Sequence, residues 1–94
     1  MTDLVEIKDL HAHVGETVTL TGWVETTRNQ GRIAFAEIRD GTGVVQCVFL
    51  KKQLEESVWE AHGTLTQEST VAVTGEVRAD DRAPGGYELG VSGL

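Results

Sequence analysis

The stretch Gly31 to Phe49, GRIAFAEIRDGTGVVQCVF, holds two runs of alternating residues joined by DGTG at Asp40–Gly43. Successive side chains of a strand point to opposite faces. The first run therefore sets Ile33, Phe35, Glu37 and Arg39 against Ala34, Ala36 and Ile38. The second sets Val45, Cys47 and Phe49 against Val44, Gln46 and Val48. Asp and Gly at the junction supply the backbone angles that a tight connection needs. The stretch reads as a hairpin, Ile33–Arg39 with Val44–Leu50, apolar on one face. On the other, Phe35 stands beside a carboxylate and a guanidinium, in a chain that has only two phenylalanines.

Upstream, Glu16–Thr27 reads ETVTLTGWVETT, β-branched and alternating, with Val18, Leu20, Gly22 and Val24 in one row. It is expected to be a strand. Gly22 in its middle suggests a bulge or bend that lets one long strand serve both halves of a barrel. Trp23 is expected to pack against a helix or cap the core. Arg28–Arg32, RNQGR, is expected to be a turn.

Downstream, Gln53–Gly63 turns helical: Leu54, Val58, Ala61, His62 and then Leu65 line one side, with Glu55, Glu56 and Glu60 opposite. Ser69–Arg78 and Tyr87–Ser92 read as strands, separated by a loop, Ala79–Gly86, that carries the only proline. Leu4–Val14 suggests a short amphipathic helix or arm, with Leu4, Ile7 and Leu10 at helical spacing. Three strands, a helix and two strands, with a glycine bend in the first strand, is the plan of an all-β OB-fold. That is a five-stranded, partly open Greek-key barrel with its helix between strands three and four. Another small Greek-key barrel is the structural alternative.

Ninety-four residues suit one domain, 1–94, short of the usual size for an enzyme with a substrate cleft. No apolar run approaches the roughly 20 residues that span a bilayer, and the acidic start, MTDLVEIKDL, lacks a signal-peptide pattern. The single Cys47 lies in an apolar strand, so a reducing cytoplasm is expected. The three histidines lack the neighbours of a zinc site, and no metal is assigned. The net charge of −7 argues against a general polyanion binder. Yet Arg28 to Lys52 carries five basic residues (Arg28, Arg32, Arg39, Lys51, Lys52) and only two acidic ones, Glu37 and Asp40. One hairpin is locally positive on an acidic body.

The ligand face of an OB-fold lies on strands two and three, where Phe35 falls. A phenylalanine held in water forfeits burial energy of about 1.5–3 kcal/mol. Stacking one base on an aromatic returns about 1–3 kcal/mol. Gln46 brings both a donor and an acceptor to the same region, and Arg28 brings donors if a bulge near Gly22 turns it outward. The alternative is that Phe35 packs under a loop or under Trp23. No nucleophile–base arrangement is recognisable, and a buried Cys47 is expected to be inert, so no catalytic residue is assigned.

With these residues in view, the chain resembles the N-terminal anticodon-binding domain of class IIb aminoacyl-tRNA synthetases, those for aspartate, asparagine and lysine. The resemblance rests on VTLTGWV at Val18–Val24, Arg28 with Phe35, IRDGTGVVQ at Ile38–Gln46 and VTGEV at Val73–Val77. RADDRAPGGYEL at Arg78–Leu89 is most similar to the asparaginyl type; archaeal-type aspartyl enzymes share a similar Ala-Pro-Gly-Gly loop.

The resemblance implies a partner and a site. The partner is tRNA, held by its anticodon loop. The central uridine would stack on Phe35 and meet Arg28 and Gln46, and Glu88 would lie near the first anticodon base. Asn29 and Arg32 would touch backbone or neighbouring bases, and Arg82 is a candidate for the third. It implies a parent enzyme, cytoplasmic and homodimeric, that charges tRNA(Asn) with ATP and Mg²⁺ on a catalytic domain outside these 94 residues. No cofactor is expected in this domain. The same domain of an archaeal-type aspartyl enzyme, a free-standing single-stranded nucleic-acid binder, and a barrel that makes only protein contacts remain as alternatives.

Overall fold

The computed structural model describes residues 3–66 and 69–94. The elements run β1 (Asp3–Leu4), a 3₁₀ turn (Ile7–Ala12), β2 (Thr17–Gln30), β3 (Ile33–Arg39), β4 (Val44–Leu50), a 3₁₀ turn (Lys51–Gln53), α1 (Glu56–His62), β5 (Thr70–Ala79), a 3₁₀ turn (Pro84–Gly86) and β6 (Tyr87–Gly93). Strands β2 to β6 close a barrel in the order β2–β3–β4–β6–β5, with β5 returning to β2. Helix α1 connects the third and fourth barrel strands, β4 and β5, as the OB-fold plan requires.

The fourteen residues of β2 serve two neighbours. Thr17–Trp23 pair with β5, and Trp23–Gln30 pair with β3. Gly22 sits at the changeover, where an added Cβ would come within 2.4 Å of the Arg39 carbonyl oxygen. Only a residue without a side chain lets the strands cross that closely. The bulge itself lies three residues later, at Glu25: Val24 faces Ile38 but Thr26 faces Glu37. One extra residue reverses the side on which everything after it points. Val18, Leu20 and Val24 are buried before it; beyond it Thr27 and Asn29 pair with the inward Ala36 and Ala34, and Arg28 pairs with Phe35.

The core takes the apolar row of each strand: Ala34, Ala36 and Ile38 from β3, Val45, Cys47 and Phe49 from β4, Val73 and Val77 from β5, and Leu89 and Val91 from β6. At the helix end, Leu54, Val58, Trp59 and Leu65 pack against this core. The His62 ring lies 4.2 Å from that of Trp59 and 5.8 Å from that of Phe49. Ile7 and Leu10 add to the core through the first 3₁₀ turn, whose three-residue period brings them to one side.

Three expectations need correction. Leu4 does not share a helical face with Ile7 and Leu10, because Asp3–Leu4 pair in parallel with Val18–Thr19, and Leu4 is 68% exposed. The turn expected over Arg28–Arg32 is only Gly31–Arg32, so Arg28 and Asn29 are strand residues; Gly31 takes the positive φ of 73° that the turn requires. Trp23 is not among the side chains that pack on the core; it lies half-buried under Arg39, whose guanidinium carbon is 5.3 Å from the ring centroid.

Candidate nucleic-acid interface

The barrel register brings residues of all five barrel strands into one surface. Along one row Arg28 pairs with Phe35, Phe35 with Val48, and Val48 with Gly90. Along the next, Thr26 pairs with Glu37, Glu37 with Gln46, Gln46 with Glu88, and Glu88 with Arg78. A ring, a buried Val48 and a bare glycine thus lie beside an unbroken polar row. Thr26, Thr27, Arg28, Phe35, Glu37 and Gln46 line a concavity of about 270 Å³.

Phe35 is half-buried, neither free in water nor sealed in the core. Its cross-strand partner Arg28 holds its guanidinium carbon 4.6 Å from the ring centroid, a cation–π contact. Gln46 and Glu88 are half-buried neighbours on β4 and β6. Arg78 Nε lies 3.6 Å from Glu88 Oε1, close enough to attract but too long to hydrogen-bond, and Nε has no hydrogen-bond partner. The Arg78 guanidinium crosses Gly90, where a Cβ would meet Nη2 at 2.0 Å.

Arg28, Phe35, Gln46 and Glu88 therefore occupy one face. By register Asn29 pairs with the inward Ala34 rather than with this row, but it lines a smaller adjoining cavity together with Arg28 and Phe35 as well as Phe49, His62 and Leu65. Arg32 is exposed at the hairpin tip. Arg82 lies in the β5–β6 loop, 92% exposed, its guanidinium 3.5 Å from Asp80. Thr26 and Arg78 lie on the same face without having been expected there. Finding Thr26 requires knowing the bulge at Glu25; finding Arg78 requires the register across β6, which a single sequence does not display. Glu37 was readable from alternation but carried no assigned role.

Charge divides along the hairpin. Arg39 is neutralised by Glu25, Nη2 to Oε2 3.1 Å. Lys51 follows β4 and its N–H donates to the Arg32 carbonyl, so Arg28, Arg32, Lys51 and Lys52 gather toward one end. None of these four has an ion pair among the described residues. The opposite end is braced by Asp40. Its carboxylate accepts from Ile7 N–H at 2.8 Å, Thr42 N–H at 2.8 Å and the Thr42 hydroxyl at 2.6 Å. Burial pushes this carboxyl up, but the Thr42 hydroxyl and the N–H groups of Ile7, Thr42 and Gly43 outweigh it and leave it below its ordinary value. Burial alone raises the Cys47 thiol to about 12, so it has no thiolate to offer chemistry. Among the described residues no three His, Cys, Asp or Glu side chains gather to hold a metal, and no helix is long and apolar enough to cross a membrane.

Residues 18–94 match the tRNA anti-codon family, described as an OB-fold nucleic acid binding domain. The asparagine–tRNA ligase of Deinococcus deserti is 52% identical over 88 residues, 94% of this chain and 20% of that protein. The crystal structure of asparaginyl-tRNA synthetase from Pyrococcus horikoshii superposes with a TM-score of 0.86 at 41% identity, over 97% of this chain and 21% of that one. A putative aspartyl-tRNA synthetase from Leishmania major superposes at 0.80 with 26% identity, over 97% of this chain and 20% of that one. The chain spans about a fifth of the length of the relatives it matches, and its likeness to the asparaginyl proteins exceeds its likeness to this aspartyl one. It belongs to the tRNA anti-codon family of OB-fold nucleic acid binding domains.

Proposed function

We propose that residues 1–94 are the anticodon-reading unit of an asparaginyl-tRNA synthetase. An unpaired central uridine lies on Phe35, with Arg28 and Gln46 at its edge and Glu88 near the neighbouring first base. The observation that carries this reading is the half-buried Phe35 ring, flanked by a guanidinium at 4.6 Å and set in a concavity with a side-chain amide. Sequence-specific RNA recognition targets splayed bases in the same way: aromatic stacking supplies affinity and hydrogen bonds to base edges supply choice.

Arg28, Arg32, Lys51 and Lys52 form the phosphate-facing edge, with Asn29 and Arg32 reaching flanking nucleotides and Arg82 the third anticodon base. The chain as a whole nevertheless carries a net charge of −7. Such a surface adds selection without broad affinity for polyanions. In the complete enzyme, cytoplasmic and homodimeric, attachment of asparagine to tRNA(Asn) with ATP and Mg²⁺ takes place on a catalytic domain that these residues do not include. The higher identity to asparaginyl than to aspartyl proteins favours the asparaginyl assignment.

The test is a titration of the chain with anticodon stem-loops at low salt. Loops with a central uridine are expected to bind more tightly than loops with any other central base. Equal binding of all loops with a steep salt slope would make the protein a general single-stranded binder. Absence of binding up to millimolar loop would favour a barrel that contacts only protein.

A further inference from the structure

Glu37 stands at the middle of the proposed base platform, between Thr26 and Gln46 across the strands and two residues from Phe35 along β3. It is half-buried and lines the same concavity. The carboxylates near it have arginines: Glu25 pairs with Arg39 and Glu88 with Arg78. The Glu37 side chain has no hydrogen bond or ion pair among the described residues. Its carboxylate is therefore open to a ligand, and it lines the space that a base would fill.

The chemistry of the base edge gives it a task. Uracil presents acceptor, donor, acceptor: O2, N3–H, O4. Cytosine presents acceptor, acceptor, donor: O2, N3, N4–H. Arg28 only donates, so it suits a carbonyl common to both bases. Gln46 carries an oxygen and an NH₂ at one tip and satisfies either base by turning over; the Thr26 hydroxyl also both donates and accepts. Neither can reject cytosine by itself. An ionised carboxylate only accepts. Beside N3 it receives the uracil N3–H in a charge-assisted bond and opposes the cytosine N3 lone pair.

We infer that Glu37 is the specificity-determining acceptor that selects uracil over cytosine on the Phe35 platform. The inference rests on the anticodon reading above and adds to it the group that removes the ambiguity of Gln46. With Glu37 in place, Gln46 is free to serve O4 as a donor, so one fixed acceptor sets the orientation of its flexible neighbour. Discrimination here combines a favourable bond to one base with repulsion of the other.

The test uses two hairpins that differ only in a central U or C, titrated against the 94-residue chain, Glu37→Gln and Phe35→Ala. Gln keeps the length and shape of Glu but can donate as well as accept. For Glu37→Gln the ratio of U to C affinity is expected to fall about tenfold, within the range for one mismatched base, chiefly through tighter binding of the C hairpin. Phe35→Ala should weaken both hairpins. If Phe35→Ala weakens binding and the wild-type chain prefers U, but Glu37→Gln leaves the ratio unchanged, the role of Glu37 is wrong and the platform stands. If the wild-type chain does not prefer U, or if Phe35→Ala has no effect, the anticodon reading and the inference fall together.

Discussion

The Arg28 guanidinium carbon lies 4.6 Å from the centroid of the Phe35 ring, so the cation already occupies one face of the platform. A cation–π contact at an exposed site is worth about 0.5–1 kcal/mol. Stacking of a base on the same ring is worth about 1–3 kcal/mol. Exchange therefore favours the base, and the displaced guanidinium can move to its edge. Arg28→Ala uncovers the ring but removes the edge donors, and hairpin affinity is expected to fall about tenfold. Arg28→Lys should restore the salt dependence of binding without restoring the choice of base, because an ammonium lacks the planar fork. Titration of both variants at two salt concentrations checks this. Tighter binding by Arg28→Ala would mean that Arg28 only covers the ring.

Gly22 and Gly90 both lack room for a Cβ, but what stands in the way differs. At Gly22 the obstacle is the Arg39 backbone carbonyl at 2.4 Å, which cannot yield without parting two strands. At Gly90 it is the Arg78 guanidinium, the far end of a flexible side chain. Gly22→Ala is expected to cost more than about 2 kcal/mol in urea unfolding. Gly90→Ala should cost under about 1 kcal/mol, yet it turns Arg78 away from Glu88 and should change preference at the first anticodon base. Equal losses of stability for the two variants would contradict this distinction.

Asp40 ties Ile7, ahead of the barrel, to the β3–β4 turn, and its carboxyl lies below the ordinary value of 3.8. A depressed carboxyl stabilises the folded state when ionised, so its contribution is present above about pH 4 and is lost as pH falls through the folded value. Asp40→Asn should be about 1 kcal/mol less stable than the wild type at pH 7. That gap should narrow progressively as pH is lowered below about 4, as the Asp40 carboxyl takes up its proton. Urea midpoints measured from pH 7 down to pH 2 follow it. A gap of constant size down to pH 2 would show that the ionised form is not what holds Ile7.

The hairpin was legible because nothing interrupts its alternation: Ile33–Arg39 and Val44–Leu50 are strands with the bounds that their patterns predict. Gly22 was correctly expected to be a bend, but the reversal of side that exposes Arg28 comes at Glu25, an ordinary residue whose bulge exists only in the pairing of β2 with β3. The placement of Asn29 followed from the same bulge and could not be read without it. Glu88 faces outward by alternation alone. Its position beside Gln46 depends on the parallel pairing of β6 with β4, a long-range contact without a local signature. Leu4 was misread because its spacing suits a helix while its backbone is taken by β2.

Whether Phe35 serves a ligand rather than the core is decided by Phe35→Ala, assayed for both unfolding and hairpin binding. The expected stability loss is about 1–2 kcal/mol for a half-buried ring, against about 3–5 kcal/mol for Phe49→Ala in the core. Affinity for a central-uridine hairpin should fall by about 1–3 kcal/mol of stacking. A Phe35→Ala chain that loses as much stability as Phe49→Ala while binding the hairpin as before would contradict a ligand role for Phe35.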